Sequence, residues 1–267
     1  MLNSSESQLH CAVLADDYRA VKTLSKIPAL LNSTNFLGLT PLELAQSLGK
    51  QVSEKILFPH ETRRILLMKP NAKHLEFLSP AQFKHFFHVT YCKHLFFPDY
   101  LLLQNVWKEC PWILRKSFLG EENRQQGIQY KNELSQGLVA NVAIQWINAD
   151  LGYGLFALQD MPANTYIGEF TGFVRRLSRQ HRDQNVYCFH YPTRFWSWNY
   201  TVIDALMYGN ETRFINHSDI PNLQPLCICE RNFLHIIFIT KELVPAGSQL
   251  TYDYGKDFWK KRQKIQI

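Results

Sequence analysis

Residues 213–222 read RFINHSDIPN: an arginine, an apolar pair, the polar trio Asn216, His217 and Ser218, and a rigid Pro221–Asn222, with no metal or phosphate motif nearby. Singly, such residues serve as turn caps or as satisfied buried groups. Crowded into ten positions they raise the question of what so many hydrogen-bonding groups hold. Two further sets have ligand chemistry. Cys227 and Cys229 stand two apart in an extended run and so share one side of a strand, but no second Cys or His pair follows at a zinc-site distance. His85, His88 and Cys92 fall at i, i+3 and i+7 of a helical pattern, yet histidines set among so many Phe and Leu usually line a packed or half-exposed surface. No metal is expected at either.

The elements that must position these residues come in two textures. At 46% hydrophobic residues the chain can fill real cores, and its 29 Lys and Arg against 23 Asp and Glu leave a charge of +6 that favours an acidic or nucleic-acid-associated partner. Part of that excess sits in KDFWKKRQKIQI (256–267), read as a solvated tail or a contact with substrate or nucleic acid. Six cysteines without a disulfide spacing predict a reducing compartment. The N-terminal residues lack a basic segment followed by an apolar run, and no stretch approaches the roughly 18 apolar residues that span a bilayer. A soluble protein of the nucleus or cytoplasm, without a membrane partner, is expected.

Leu9, Ala12 and Leu24 recur 33 residues on as Leu42, Ala45 and Leu57, and GLTPLELAQSLGK resembles the ankyrin repeat. Thr40–Pro41 is expected to open a helix and Gly49 to serve the turn after it. About two repeats are visible, and since such units need neighbours to cover their apolar faces, the segment that follows is expected to cap them. Residues 71–118 read as helical and aromatic, starting at Ser79–Pro80. From about residue 136 the texture changes to short runs rich in Val, Ile, Phe, Tyr and Thr, among them LVANVAIQWI, LFAL, NTYIGEF, YCFHY, TVIDAL, QPLCI, LHIIFIT and SQLTYDY. The expected fold class is α+β, divided into repeats at 1–67, a helical linker at 68–136, a mostly-β unit at 137–259 and a basic tail at 260–267.

Four stretches of the β half belong together: LGYGLFALQDMPANTYIGEFTG (151–172), NVYCFHY (185–191), VIDALMYGNETRFINHSDIPN (202–222) and AGSQLTYDYG (246–255). In order and interval they resemble the SET domain of protein lysine methyltransferases. That resemblance implies S-adenosylmethionine as cofactor and a lysine ε-amine as acceptor. It implies that Asn216 and His217 contact the cofactor, and that Gly152 and Gly154 let backbone approach it with Tyr153 covering part of it. Arg213 and Tyr187 fall at positions that line the same pocket. Tyr254 matches the catalytic tyrosine beside the transferring methyl group, and Tyr252 the position that governs methyl number, where Tyr favours monomethylation.

Two departures stand out. Glu169-Phe170-Thr171-Gly172 has Phe170 where the family usually has Tyr, removing a hydroxyl that helps orient the amine. No cysteine follows Cys229, so a cysteine-rich zinc segment after the last motif is absent, and Phe258 and Trp259 are the candidates to close the pocket instead. The resemblance implies a protein substrate, most often a histone tail, with nucleic acid reached through chromatin, and the repeats imply a recruiting protein partner. Small ankyrin-plus-SET proteins also resemble effectors that intracellular bacteria deliver into host cells, which would place this one in a host nucleus. The rival expectations are a non-histone substrate or, given Phe170, a catalytically weak adaptor.

Overall fold

The computed structural model describes residues 6–58, 63–111, 120–178, 185–191 and 199–259, so the basic tail 260–267 lies outside the described residues. Helices α1 (Gln8–Leu14) and α2 (Tyr18–Leu24) form one pair; after the short α3 (Pro28–Leu31), helices α4 (Pro41–Ser47) and α5 (Gln51–Leu57) form a second, offset from the first by 33 residues. Their boundaries follow local chemistry. Thr40 caps α4 in a box with Glu43, and Pro41 at the first helical position loses no hydrogen bond there. Gly49 turns the chain at φ +62°, and a Cβ on it would come within 2.5 Å of the Phe96 ring, so the site demands glycine twice over.

The aromatic region that follows is only partly helical. Strands β1 (Ile65–Met68) and β2 (Glu76–Leu78) form an antiparallel hairpin before α6 (Pro80–Phe87), and β3 (Thr90–Tyr91) precedes α7 (Tyr100–Glu109). Serine 79 caps α6, but the helix ends at Phe87 and His88 turns left-handed at φ +57°. His85, His88 and Cys92 therefore do not share a helical face, and among the described residues no group of three His, Cys, Asp or Glu could hold a metal ion. Helices α8 (Glu121–Gln129) and α9 (Lys131–Gln136) complete this half.

Beyond Gly137 the chain is mostly strand: β4 (Val142–Asn148), β5 (Gly152–Ala157), β6 (Tyr166–Glu169), β7 (Phe173–Ser178), β8 (Cys188–Tyr191), β9 (Asn199–Asp204), β10 (Tyr208–Gly209), β11 (Asn216–His217), β12 (Leu223–Glu230), β13 (Phe233–Thr240) and β14 (Gln249–Tyr252), closed by helix α10 (Lys256–Trp259). Six strands form one sheet in the order β11-β14-β5-β4-β1-β2, three-stranded sheets run β12-β13-β6 and β7-β9-β8, and β10 pairs with β3. The hairpin β1–β2, N-terminal to the β half, thus extends its largest sheet through the parallel pair β1–β4. A buried core runs through both halves, from Leu9 and Leu44 to Ile144, Leu155 and Phe238. Among the described residues, no helix is long and apolar enough to cross a membrane.

Candidate active site

Strand β11 is two residues long and lies parallel to β14, with Asn216 opposite Thr251 and His217 opposite Tyr252. So short a strand needs help to hold its register. Asn222 supplies it: its Nδ2 donates to Gln249 O at 2.8 Å, and its Oδ1 accepts from Thr251 N at 2.9 Å. The backbone amide of Tyr254 donates to His217 Nδ1 at 3.1 Å, and the Tyr254 hydroxyl to Ile215 O at 2.9 Å. Asn216 Nδ2 donates to Tyr153 O at 3.2 Å, tying in the first residues of β5. Three stretches far apart in sequence meet at one junction.

At that junction polar groups are left over. His217 Nε2 is buried without a hydrogen bond, although the exposed Asp219 carboxylate lies 3.4 Å away, and Gln249 Nε2 is buried without one among the described residues. Gln249 Nε2 lies 2.8 Å from where a Cβ on Gly154 would stand, whereas the Gly152 position, at φ +70°, opens onto empty space. Orphaned donors beside open backbone suit a polar ligand. Trp259 folds back with its ring centroid 4.7 Å from that of His217 and nearly parallel to Tyr254 at 6.1 Å, while Phe258 meets Tyr254 at 4.7 Å.

A second group of rings adjoins the junction. Tyr252 lies 4.7 Å from Tyr254, 4.9 Å from Phe238 and 6.2 Å from Phe189, and Phe170 lies 5.4 Å from Phe189. Burial raises the Tyr252 hydroxyl well above its ordinary range, helped by Tyr254; burial, with Tyr187 nearby, likewise raises Tyr254. Both phenols stay protonated at neutral pH. Phe189 and Phe238 escaped the sequence reading because they sit in ordinary strand runs, YCFHY and LHIIFIT, and only strand pairing brings them to Phe170 and Tyr252.

Arg213 and Tyr187 form a pair beside these groups. The guanidinium lies 4.3 Å over the Tyr187 ring, and its Nε donates to Ala205 O at 2.9 Å, so Arg213 fastens the 3-10 turn Glu211–Phe214 to the start of β8. The same turn is held from the other side by residues more than a hundred positions away in the chain. Buried Glu211 accepts from Arg63 at 2.9 Å and from the Tyr91 hydroxyl at 2.9 Å. Tyr153, in turn, packs edge-on against Phe87 of α6 at 5.2 Å and against Trp146 at 5.1 Å.

Residues 152–255 match the family described as "SET domain". This stretch of the chain is a SET domain. Among curated proteins, human "Histone-lysine N-methyltransferase EHMT1" is 35% identical over 121 residues, 43% of this chain and 9% of that protein. Human "Histone-lysine N-methyltransferase SETD2" is 36% identical over 110 residues, covering 39% and 4%. The chain thus spans less than a tenth of the length of these relatives. Among solved structures, the "crystal structure of KRYPTONITE in complex with mCHH DNA, H3(1-15) peptide and SAH" aligns at 26% identity with a TM-score of 0.38, covering 47% of this chain and 26% of that one. SET methyltransferases use S-adenosylmethionine, and the open start of β5 at Gly152, with orphaned nitrogens on His217 and Gln249, fits such a cofactor.

The SET domain meets the helical half at a cavity lined by Glu43, His94, Glu169, Glu230, Arg231 and His235. Burial pushes His94 down to about 4. Burial would lower His235 too, but the Glu169 carboxylate 2.6 Å from its Nδ1 outweighs that and raises it above the ordinary imidazole value. The two histidines therefore bend stability in opposite directions. Between about pH 4 and the unfolded value of about 6.5, the unfolded chain binds a proton that folded His94 refuses, so stability falls as pH drops. Above about 6.5 the folded chain still holds the His235 proton, and stability falls as pH rises through its folded value. In urea midpoints against pH, His94→Gln is expected to flatten the slope between about pH 4 and 6.5 and His235→Gln the slope above it; slopes unchanged in the variants would contradict this.

Proposed function

We propose that this chain is an S-adenosylmethionine-dependent protein-lysine N-methyltransferase that acts on histones and adds mainly one methyl group. The observation that carries it is the junction where Tyr254 N meets His217 and Asn216 meets Tyr153 O, inside a segment that matches the SET family. Gly152, Tyr153, Gly154, Asn216, His217, Gln249 and Trp259 would hold the cofactor, which when bound supplies an electrophilic methyl group on sulfur. Arg213 and Tyr187 brace the turn that carries Asn216 and His217.

The acceptor amine must lose its proton first. At an ordinary lysine pKa of about 10.4, roughly one amine in a thousand is neutral near pH 7. Phe170, Phe189, Phe238, Tyr252 and Tyr254 form a desolvating aromatic wall, and two protonated phenols bring no negative charge to stabilise the ammonium form. The Tyr254 proton is committed to Ile215 O, which leaves the oxygen's lone pairs for the reacting methyl group. The Tyr252 hydroxyl crowds a methylated product, so Tyr252→Phe is expected to shift the product from monomethyl toward dimethyl and trimethyl lysine, read by mass spectrometry.

We further infer that the two 33-residue-offset helix pairs are ankyrin-like repeats at 1–67 that recruit a protein partner, with 68–136 as linker, 137–259 as the catalytic unit and 260–267 as a basic tail. A bacterial effector acting on host chromatin is the setting this layout suggests. The test is methyl transfer from labelled S-adenosylmethionine to core histones and nucleosomes. Transfer to a histone lysine is the expected result; cofactor binding without it moves the substrate to another protein, and no cofactor binding leaves an adaptor.

A further inference from the structure

Two segments carry the chain's positive excess: the tail 256–267, with five Lys and Arg against one Asp, and residues 63–94, with six Lys and Arg against one Glu. Arg63 is spent on Glu211, but Arg64, Lys73 and Lys84 are exposed and Lys69 half-exposed, together with His74, His85 and His88. These side chains come from the β1–β2 hairpin and the adjoining α6, and the structure links them into one surface. The Arg64 guanidinium lies 5.5 Å over Phe77, and Lys69 Nζ lies 5.5 Å over Phe86 and 2.7 Å from Glu76, the segment's single carboxylate.

Two of the rings stay open to solvent, Phe77 at 59% and Phe86 at 37% exposure. Charged residues on an edge strand such as β2 normally guard it against pairing with other chains. Guarding, however, does not call for an exposed phenylalanine on the edge strand itself, nor for cations that continue onto a helix. Cations held over aromatic rings and spread across a strand and a helix suit a polyanion that offers dense phosphate. The patch also abuts the SET domain, since Phe86 lies 6.0 Å from Tyr153.

We propose that the β1–β2 hairpin and α6 form a docking surface for duplex DNA, contacting its phosphate backbone through Arg64, Lys69, Lys73 and Lys84. Contact is sequence-independent, made to phosphate and not to bases. It stands independently of the methyltransferase reading and is measured without cofactor.

The test is fluorescence anisotropy of a labelled DNA duplex titrated with the full chain over a salt series. Four phosphate contacts predict a slope of log affinity against log salt of about −3 to −4, and Arg64→Gln with Lys84→Gln is expected to reduce its magnitude by about 2. Both positions are exposed, so the thermal melt should not move, and a chain lacking residues 260–267 should keep the patch's share of the slope. A double variant whose slope changes by less than about 1 overturns the proposal. So does competition by poly-L-glutamate as effective as that by DNA at equal charge, which would make the partner an acidic protein.

Discussion

Tyr254→Phe is expected to lower the turnover number for methyl transfer by about 100- to 1000-fold while leaving cofactor affinity within a few-fold of the parent. The substitution removes one oxygen and little else. The Tyr254 ring stays enclosed by His217, Tyr252, Phe258 and Trp259, and the backbone amide that bonds His217 is untouched. What goes is the hydroxyl on Ile215 O, whose hydrogen bond is worth about 1 kcal/mol of stability. If the oxygen acts on the reacting methyl group, the loss appears in turnover rather than in binding, because only interactions stronger in the transition state change the chemical step. Single-turnover transfer and calorimetric titration of S-adenosylmethionine separate the two. Unchanged turnover, or a loss carried wholly by cofactor affinity, would reassign Tyr254 to holding the Ile215–His217 loop.

The β half was legible because its strands advertise themselves. Eight runs rich in Val, Ile, Phe and Tyr became β4, β5, β6, β8, β9, β12, β13 and β14. The caps at Thr40 and Ser79 were equally plain, since a hydroxyl three residues before Glu or Gln with Pro between satisfies helix-end donors locally. Strand β1 was hidden because ILLM is too short for periodicity to tell a buried strand from a helical turn. Strand β11 is invisible in principle, since two residues become a strand only when β14 arrives beside them. The same holds for the aromatic wall. The motifs supplied Phe170, Tyr252 and Tyr254, but Phe189 and Phe238 join them through pairings no local pattern encodes. Glu211 lies 148 residues from Arg63 and 120 from Tyr91, so its partners follow only from the folded chain.

That triad around buried Glu211 yields the other large effect: Glu211→Ala is expected to destabilise the fold by about 3 kcal/mol and to weaken cofactor binding with it. Removing the carboxylate leaves the Arg63 guanidinium, 19% exposed, without its counter-charge and takes the acceptor from the partly buried Tyr91 hydroxyl. The general range for breaking a buried pair is about 3–5 kcal/mol, and partial access of water to Arg63 places this one at the low end. The damage does not stay local. Glu211 opens the 3-10 turn that leads through Arg213 to Asn216 and His217, so a loosened turn releases one wall of the cofactor junction. Replacing both charges with apolar groups, Arg63→Met with Glu211→Leu, removes the stranded cation and should recover most of the stability, since hydrophobic substitutes for buried ion pairs are often neutral or better. Urea unfolding of the two variants and the parent, with cofactor titration of each, tests both halves. A double variant as unstable as Glu211→Ala would mean that the carboxylate's bond to Tyr91, not the stranded charge, sets the cost; an alanine variant with parental stability would remove the triad's role in holding the turn.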